Sequence, residues 1–289
     1  GMDKSPPRFT SDEDPAGGHP LTGRMYVEVM RKFIALFLFL AWPALSASRA
    51  GSLREALTLF NSGKYVEAFH ISSQYWQENP QSVDALKILG MSQFMLGHPA
   101  EALAAMVRAT ELAPNDPDAF YYLGRLYFSA DNATAALAAF ERTTALDPSS
   151  VRGFNNLGQT YEALGQRPEA EKAYKKAIVL ESNLVKKSEW PEYNLGALYL
   201  GDGRTEEAIP CFRRALQINP TFPDARIKLA VALSKKQPVP ESFDLLQETL
   251  RVDPHNAEAH YRLALLLSKT GKPDEAREHF TLFEKYRKQ

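Results

Sequence analysis

Residues 117–150 read PDAFYYLGRLYFSADNATAALAAFERTTALDPSS and carry two apolar stripes separated by a break. The first stripe runs from Phe120 to Tyr127 and the second from Ala136 to Leu146. Within each stripe the apolar residues recur three or four positions apart, which is the spacing of a helix with one buried face. The polar residues between the stripes indicate a short connection. This stretch therefore predicts two helices packed as an antiparallel pair.

The same unit recurs along most of the chain. Each copy is marked by a Leu-Gly or Leu-Ala pair, and the second residues of these pairs lie 34, 34, 38, 34 and 34 positions apart. The pairs are Leu89-Gly90, Leu123-Gly124, Leu157-Gly158, Leu195-Gly196, Leu229-Ala230 and Leu263-Ala264. Self-similarity at this period is typical of a helical solenoid, in which each unit packs on its neighbours. Repeat arrays of this kind mostly serve as binding surfaces.

The composition argues against several classes of function. The chain has 289 residues, and its 34 basic and 35 acidic residues give a net charge of −1, so we expect no nucleic acid partner. The single cysteine, Cys211, excludes an intrachain disulfide and is interpreted as a buried, unreactive thiol. The six histidines lack the paired spacing of zinc motifs, and the sequence has no glycine-rich phosphate loop and no Gly-x-Ser-x-Gly elbow. We therefore predict no catalytic residues, no metal site, no cofactor and no enzyme.

The N-terminal segment, residues 1–29, differs from the rest of the chain. It is rich in Pro, Gly, Ser and charge and contains few large apolar residues, so we predict a disordered leader. Gly1 before Met2 has the form of a remnant of tag removal. A natural start at Met25 or Met30 would explain the unusual length of this leader.

Residues 30–48 have the pattern of a signal peptide. Met30-Arg31-Lys32 supplies a basic start, an apolar run follows, and small residues come after Pro43. The apolar run is too short to span a bilayer comfortably, so we expect cleavage near Ala47 or Ala50 and an exported protein. The alternative is a hydrophobic helix that caps the repeats.

The 34-residue unit resembles the tetratricopeptide repeat (TPR) family. That family places a bulky residue at the fourth position of the unit, Leu-Gly or Leu-Ala at the seventh and eighth, and small or aromatic residues at fixed later positions. Residues 151–184 match at Phe154, Leu157, Gly158, Tyr161, Gly165, Ala170, Tyr174 and Ala177. The resemblance implies an all-α fold, a right-handed superhelix of antiparallel helix pairs with about seven repeats.

We expect the repeats to fill the chain after the signal peptide, with no second domain. Residues 49–82 fit a degenerate first repeat, and residues 83–289 hold six more. The predicted boundaries of these six are 83–116, 117–150, 151–184, 189–222, 223–256 and 257–289. The one irregular step is an insertion, residues 185–188, which is additional to the period.

The resemblance also implies a binding surface, because in TPR arrays the first helix of each pair lines a concave groove. Its positions 2, 5, 9 and 12 point into that groove. Here they carry aromatic, Arg and amide side chains, which are residue types that anchor interfaces. The predicted protein- or peptide-binding residues are Tyr121, Arg125, Phe128, Arg152, Asn155, Gln159, Trp190 and Tyr193. Exposure is the favoured interpretation for Trp190, whereas Phe128 fits core packing and groove exposure equally well.

These observations predict a non-catalytic scaffold that binds a peptide or partner protein. With the signal peptide, they predict an adaptor or assembly factor of a bacterial envelope, periplasmic or secreted, with membrane contact only through an uncleaved signal segment. The lysine and asparagine set with which one TPR subclass clamps C-terminal carboxylates is mostly missing. The alternative function is structural self-assembly, in which Leu53, Leu57 and Phe60 form a contact between copies of the chain.

Overall fold

Helices account for all the regular structure of the residues that the computed structural model describes, which are 52–182, 184–235 and 237–288. These helices fall into two units that divide between Leu164 and Gly165. The helices of the first unit are α1 (Leu53–Asn61), α2 (Tyr65–Glu78), α3 (Val83–Met95), α4 (Pro99–Leu112), α5 (Pro117–Ser129), α6 (Ala133–Leu146) and α7 (Val151–Ala163). Those of the second are α8 (Arg167–Glu181), α9 (Trp190–Gly201), α10 (Thr205–Ile218), α11 (Pro223–Leu233), α12 (Pro240–Val252), α13 (Ala257–Lys269) and α14 (Pro273–Tyr286).

Local sequence signals set the ends of these helices. Ser82 and Ser150 precede α3 and α7, and each hydroxyl accepts a backbone N–H three residues on, which satisfies a donor that the first turn leaves open. The turn between α3 and α4 contains Gly97, whose φ of 83° is readily adopted only by a residue without a side chain. At the same point between α5 and α6 the chain uses Asp131, with φ 55°.

In the first unit, consecutive helices pack against each other from α1 to α7. Alternate helices also touch, so that α1 contacts α3, α3 contacts α5 and α5 contacts α7. We call these four helices the first-helix layer of the unit. Its core includes Leu86 and Leu89 of α3, which pack with Ala105 and Ala109 of α4.

The second unit repeats this arrangement. Consecutive helices pack from α8 to α14, and α9, α11 and α13 form its first-helix layer through direct contacts. Its core includes Ile227 of α11, Leu246 of α12 and Leu263 of α13, all nearly or completely buried. Cys211 is 2% exposed, and burial raises the pKa of its thiol to about 11, which confirms the prediction of a buried thiol.

The predicted leader and signal peptide, residues 1–29 and 30–48, lie outside the described residues. Within the described part of the chain, each helix is either too short or too polar to cross a membrane.

Candidate functional site

The first-helix layer of the first unit is held together by ionic contacts between helices. Lys87 of α3 is only 7% exposed, and its Nζ lies 2.8 Å from Asp116 and 2.9 Å from Asp84. Burial alone would lower the pKa of Lys87, but the hydrogen bonds to the two carboxylates outweigh it and the pKa is raised. Asp116 also caps α5 by accepting the N–H of Asp118. One carboxylate therefore fixes both the start of α5 and its position beside α3.

A second contact joins α5 to α7. The guanidinium of Arg152 forms an ion pair with Asp118 and lies over the ring of Tyr121, 4.4 Å from its centroid. Such a cation–π contact is stronger when the ring is shielded from water, and Tyr121 is 2% exposed. The Arg152 side chain itself is 30% exposed to solvent. Arg152 is thus a partly accessible cation whose position is fixed by the Tyr121 ring and by the Asp118 carboxylate.

The second unit holds an aromatic cluster at the start of α9. The ring of Trp190 lies 4.9 Å from that of Phe222, and Tyr193 lies 5.0 Å from Phe222 and 6.0 Å from Phe212, measured between centroids. Aromatic rings packed edge-on or tilted at these distances stabilise the fold by more than the burial of their apolar area alone. Phe222 is the residue before α11, so the cluster ties successive first helices together.

Comparison with known proteins gives several repeat matches. The tetratricopeptide repeat model matches residues 89–151 and 121–183, and the middle TPR-like domain of cilia and flagella-associated protein 70 matches residues 154–281. A model of anaphase-promoting complex subunit 3 matches residues 38–109. The chain belongs to the tetratricopeptide repeat family.

Individual proteins resemble the chain over shorter stretches or in fold. Human tetratricopeptide repeat protein 8 is 38% identical over 79 residues, which is 27% of this chain and only 15% of that relative. The TPR protein TTC0263 of Thermus thermophilus is 26% identical, with a TM-score of 0.53 over 63% of this chain and 96% of its own. YrrB, a TPR protein described as having an unusual peptide-binding site, is 20% identical, with a TM-score of 0.51 over 65% and 94%. The predicted all-α TPR solenoid fold is confirmed.

The TPR register places the predicted binding residues on first helices, but it overestimates their exposure. In the first unit Tyr121, Arg125 and Asn155 are 2%, 5% and 9% exposed. Tyr121 is covered in part by the next first helix, because the Arg152 guanidinium rests on its ring. The half-buried members of this set are Phe128, Arg152 and Gln159.

The two aromatic residues predicted in the second unit also pack inward. Tyr193 is 7% exposed, and Trp190, for which exposure was favoured, is half-buried against Phe222. Its position at a helix start suggested an open ring, yet the residue that precedes the next first helix covers it. Whether any of the eight residues contacts a partner stays a prediction.

Two residues that link successive first helices, one in each unit, did not enter the predicted site. Asp116 and Phe222 each stand immediately before a Pro that opens a first helix, and each contacts the preceding first helix. Asp116 was recognisable from the sequence only as a residue that caps a helix. Its contact with Lys87, 29 residues earlier, is not visible in that local pattern. The proline that follows was the available signal, since it marks where successive repeats meet.

The structure also bears on the self-assembly alternative. Of the three residues in the proposed stripe on α1, Phe60 is completely buried and its ring lies 5.3 Å from Tyr65 of α2. Leu53 and Leu57 are half-buried. Because Phe60 fills the core of its own helix pair, the stripe offers a second copy less apolar surface than the sequence suggested.

No group of three or more His, Cys, Asp or Glu side chains is arranged to hold a metal ion in the residues that the structure describes. The closest pairing of histidines joins Nδ1 of His260 to Nδ1 of His279 at 2.9 Å. Nε2 of His260 lies 3.0 Å from the carbonyl oxygen of Pro254 and must donate to it, so the His260 Nδ1 accepts from His279. This pair links α13 to α14.

Proposed function

We propose that this TPR protein is a non-catalytic scaffold whose first-helix layer in the first unit binds an extended segment of a partner protein. The observation that carries the proposal is Arg152, a partly exposed guanidinium fixed by Asp118 and Tyr121. A fixed arginine loses little side-chain freedom when a ligand binds, which is why such residues anchor interfaces. Phe128 and Gln159 are half-buried on the same layer and would add apolar and amide contacts.

The fold neighbours support a role in protein interaction. A peptide-binding site is attributed to YrrB, whose fold the chain shares. An open layer of first helices presents continuous surface along several repeats, which suits an extended ligand better than a small molecule. The partner itself is to be found by selection.

The test uses a charge reversal at Arg152 with a matched control. Peptides selected from a displayed random library on the wild-type chain are measured against Arg152→Glu and against Arg142→Glu. Arg142 lies on the second helix α6 with its guanidinium 5.7 Å from the ring of Phe120, so it is also an arginine on an aromatic ring. We expect Arg152→Glu to weaken binding by about tenfold or more, as at an interface anchor, and the control to bind like wild type.

Equal binding by all three proteins would refute a role for this layer. Circular dichroism spectra of the variants keep a folding defect from being mistaken for lost binding.

We further propose that the protein is exported and acts as an adaptor or assembly factor in a bacterial envelope. The support is the basic and apolar pattern of residues 30–48. Expression of the gene in a bacterium, followed by cell fractionation and N-terminal sequencing, tests it. A mature protein that begins near Ala47 or Ala50 outside the cytosol is expected, and an unprocessed cytosolic chain would contradict the proposal.

A further inference from the structure

The insertion that breaks the repeat period forms an anchored loop in the second unit. The carbonyl oxygen of Glu181 accepts the N–H of Leu184 at 2.9 Å, and its buried carboxylate accepts the N–H of Ser188 at 3.0 Å. Ser188 in turn accepts the N–H of Trp190 at the start of α9. One glutamate thus fixes both ends of the loop.

Two apolar side chains of this loop are exposed to solvent. Val185 is fully exposed, and Leu184 is 46% exposed. Val179, in the last turns of α8, is 64% exposed. Single exposed apolar residues are ordinary on protein surfaces, but here three lie within seven positions of the chain.

Lysines flank these apolar residues along the chain. Lys186 and Lys187 follow Val185 directly and are exposed, and Lys176 is exposed one turn before Val179 on α8. Of the nearby acidic residues, Glu171 binds Arg204, Lys175 and Tyr199, and Glu181 is buried. We define the basic–apolar patch as Lys176, Val179, Leu184, Val185, Lys186 and Lys187.

We propose that this patch binds an anionic lipid surface, with Leu184 and Val185 entering the interface between headgroups and acyl chains. Apolar tips flanked by lysines fit that interface because the long lysine stems lie along apolar material while their ammonium groups reach phosphate. An exposed lysine can exchange an acidic neighbour for a lipid phosphate, since exposed ion pairs are weak.

A protein partner fits the patch less well than a lipid surface does. Protein interfaces are depleted in lysine and are anchored by aromatic residues and arginine, neither of which the patch contains. The lipid proposal is independent of the peptide-binding function, because it concerns other residues and the two are measured separately.

The first experiment measures where the loop goes. Val185→Cys in the full-length chain is labelled with an environment-sensitive fluorophore, which spares the buried native thiol of Cys211. Vesicles of phosphatidylcholine containing about a quarter phosphatidylserine should shift its emission to the blue, and pure phosphatidylcholine vesicles should not. Val252→Cys, at a valine that is 59% exposed elsewhere in the second unit, is the control and should stay in water. This local signal separates the loop from any binding by the apolar run before residue 43.

The second experiment measures the charge contribution. Lys186→Gln with Lys187→Gln should weaken partitioning to the anionic vesicles by about 25-fold, since each lysine near such a surface contributes about fivefold. Lys269→Gln with Lys272→Gln makes the same change in net charge elsewhere and should bind like wild type. An unshifted probe at position 185, or equal partitioning of both double variants, overturns the proposal. If the probe stays in water while the Lys186 and Lys187 variant loses binding to an acidic polyglutamate peptide, the patch is a protein-docking surface and the lipid proposal fails.

Discussion

Gly124 of α5 faces the ring of Phe140 on α6, and replacing it with alanine tests whether close helix contact is what this glycine provides. A Cβ at position 124 would lie 2.8, 2.9 and 3.0 Å from three ring carbons of Phe140, where ordinary contacts begin at 3.4 Å. The ring would have to move by roughly half an ångström, but it is completely buried and packs 6.0 Å from Tyr121. The Phe140 ring therefore cannot move aside without a cost in packing energy.

Two opposing effects set the size of the change. Overpacking a filled core costs about 1–3 kcal/mol, whereas alanine in place of glycine in a helix interior stabilises by about 1 kcal/mol. We expect Gly124→Ala to lower the free energy of unfolding by about 0–2 kcal/mol. In a Phe140→Leu background the ring is gone, so the same change should stabilise by up to about 1 kcal/mol. The difference between the two backgrounds should be about 1–3 kcal/mol.

The assay is urea denaturation followed by far-ultraviolet circular dichroism on the four proteins of this cycle, in which only the difference between backgrounds is interpreted. Gly196→Ala provides a replicate in the second unit, because a Cβ there would lie 2.8 Å from a ring carbon of Phe212. The reasoning is refuted if Gly124→Ala stabilises the parent chain as it would an isolated helix. It is equally refuted if the effect is the same in both backgrounds.

Three further predictions concern titration and reactivity. Burial, and then the neighbouring His260, lower the pKa of His279, so the unfolded chain binds a proton at this residue more readily than the folded chain does. The free energy of unfolding should therefore fall as the pH drops below about 6.5. His279→Gln should flatten that part of a plot of melting temperature against pH. The hydrogen bond from Arg204 lowers the pKa of Glu171 to about 2, so its contribution should be complete above about pH 4.5 and be lost towards pH 2, and Glu171→Gln should remove this acid-limb dependence. With its thiol pKa near 11, Cys211 should react slowly with a disulfide reagent at pH 8 until the chain is denatured; fast labelling of the native protein would contradict the burial.

Periodicity was sufficient for the helices and for much of the core. The two apolar stripes of residues 117–150 predicted an antiparallel helix pair, and Phe140 of the second helix packs beside Gly124 of the first. Such contacts lie within one repeat, so spacing along the chain fixes them. Asp131 shows the limit of a residue-type rule, since it adopts with φ 55° the turn that glycine makes elsewhere. The turn is imposed by the two helices that it joins.

Exposure of the site residues could not be predicted in the same way. The repeat register put Tyr121 and Trp190 on first helices, but part of their cover comes from residues 31 and 32 positions later, Arg152 and Phe222. Arg152 lies in the repeat after that of Tyr121, and Phe222 is the last residue of the repeat that holds Trp190, so the distance between first helices decides whether each partner reaches its ring. The TPR position rule, which assigns groove residues within one repeat, does not take that distance into account.

The ionic contacts between repeats also constrain what the first-helix layer of the first unit can recognise. Lys87 is held by two carboxylates and Arg152 by Asp118, so an incoming carboxylate must displace an acidic group that is already in place. Such an exchange yields little net free energy, because a pre-formed ion pair is broken for each new one that forms. A backbone carbonyl group carries no net charge, so it can approach the Arg152 guanidinium without competing with Asp118 for a full ion pair. The geometry therefore favours ligands recognised through their backbone and apolar side chains over the acidic chain ends that some TPR proteins clamp.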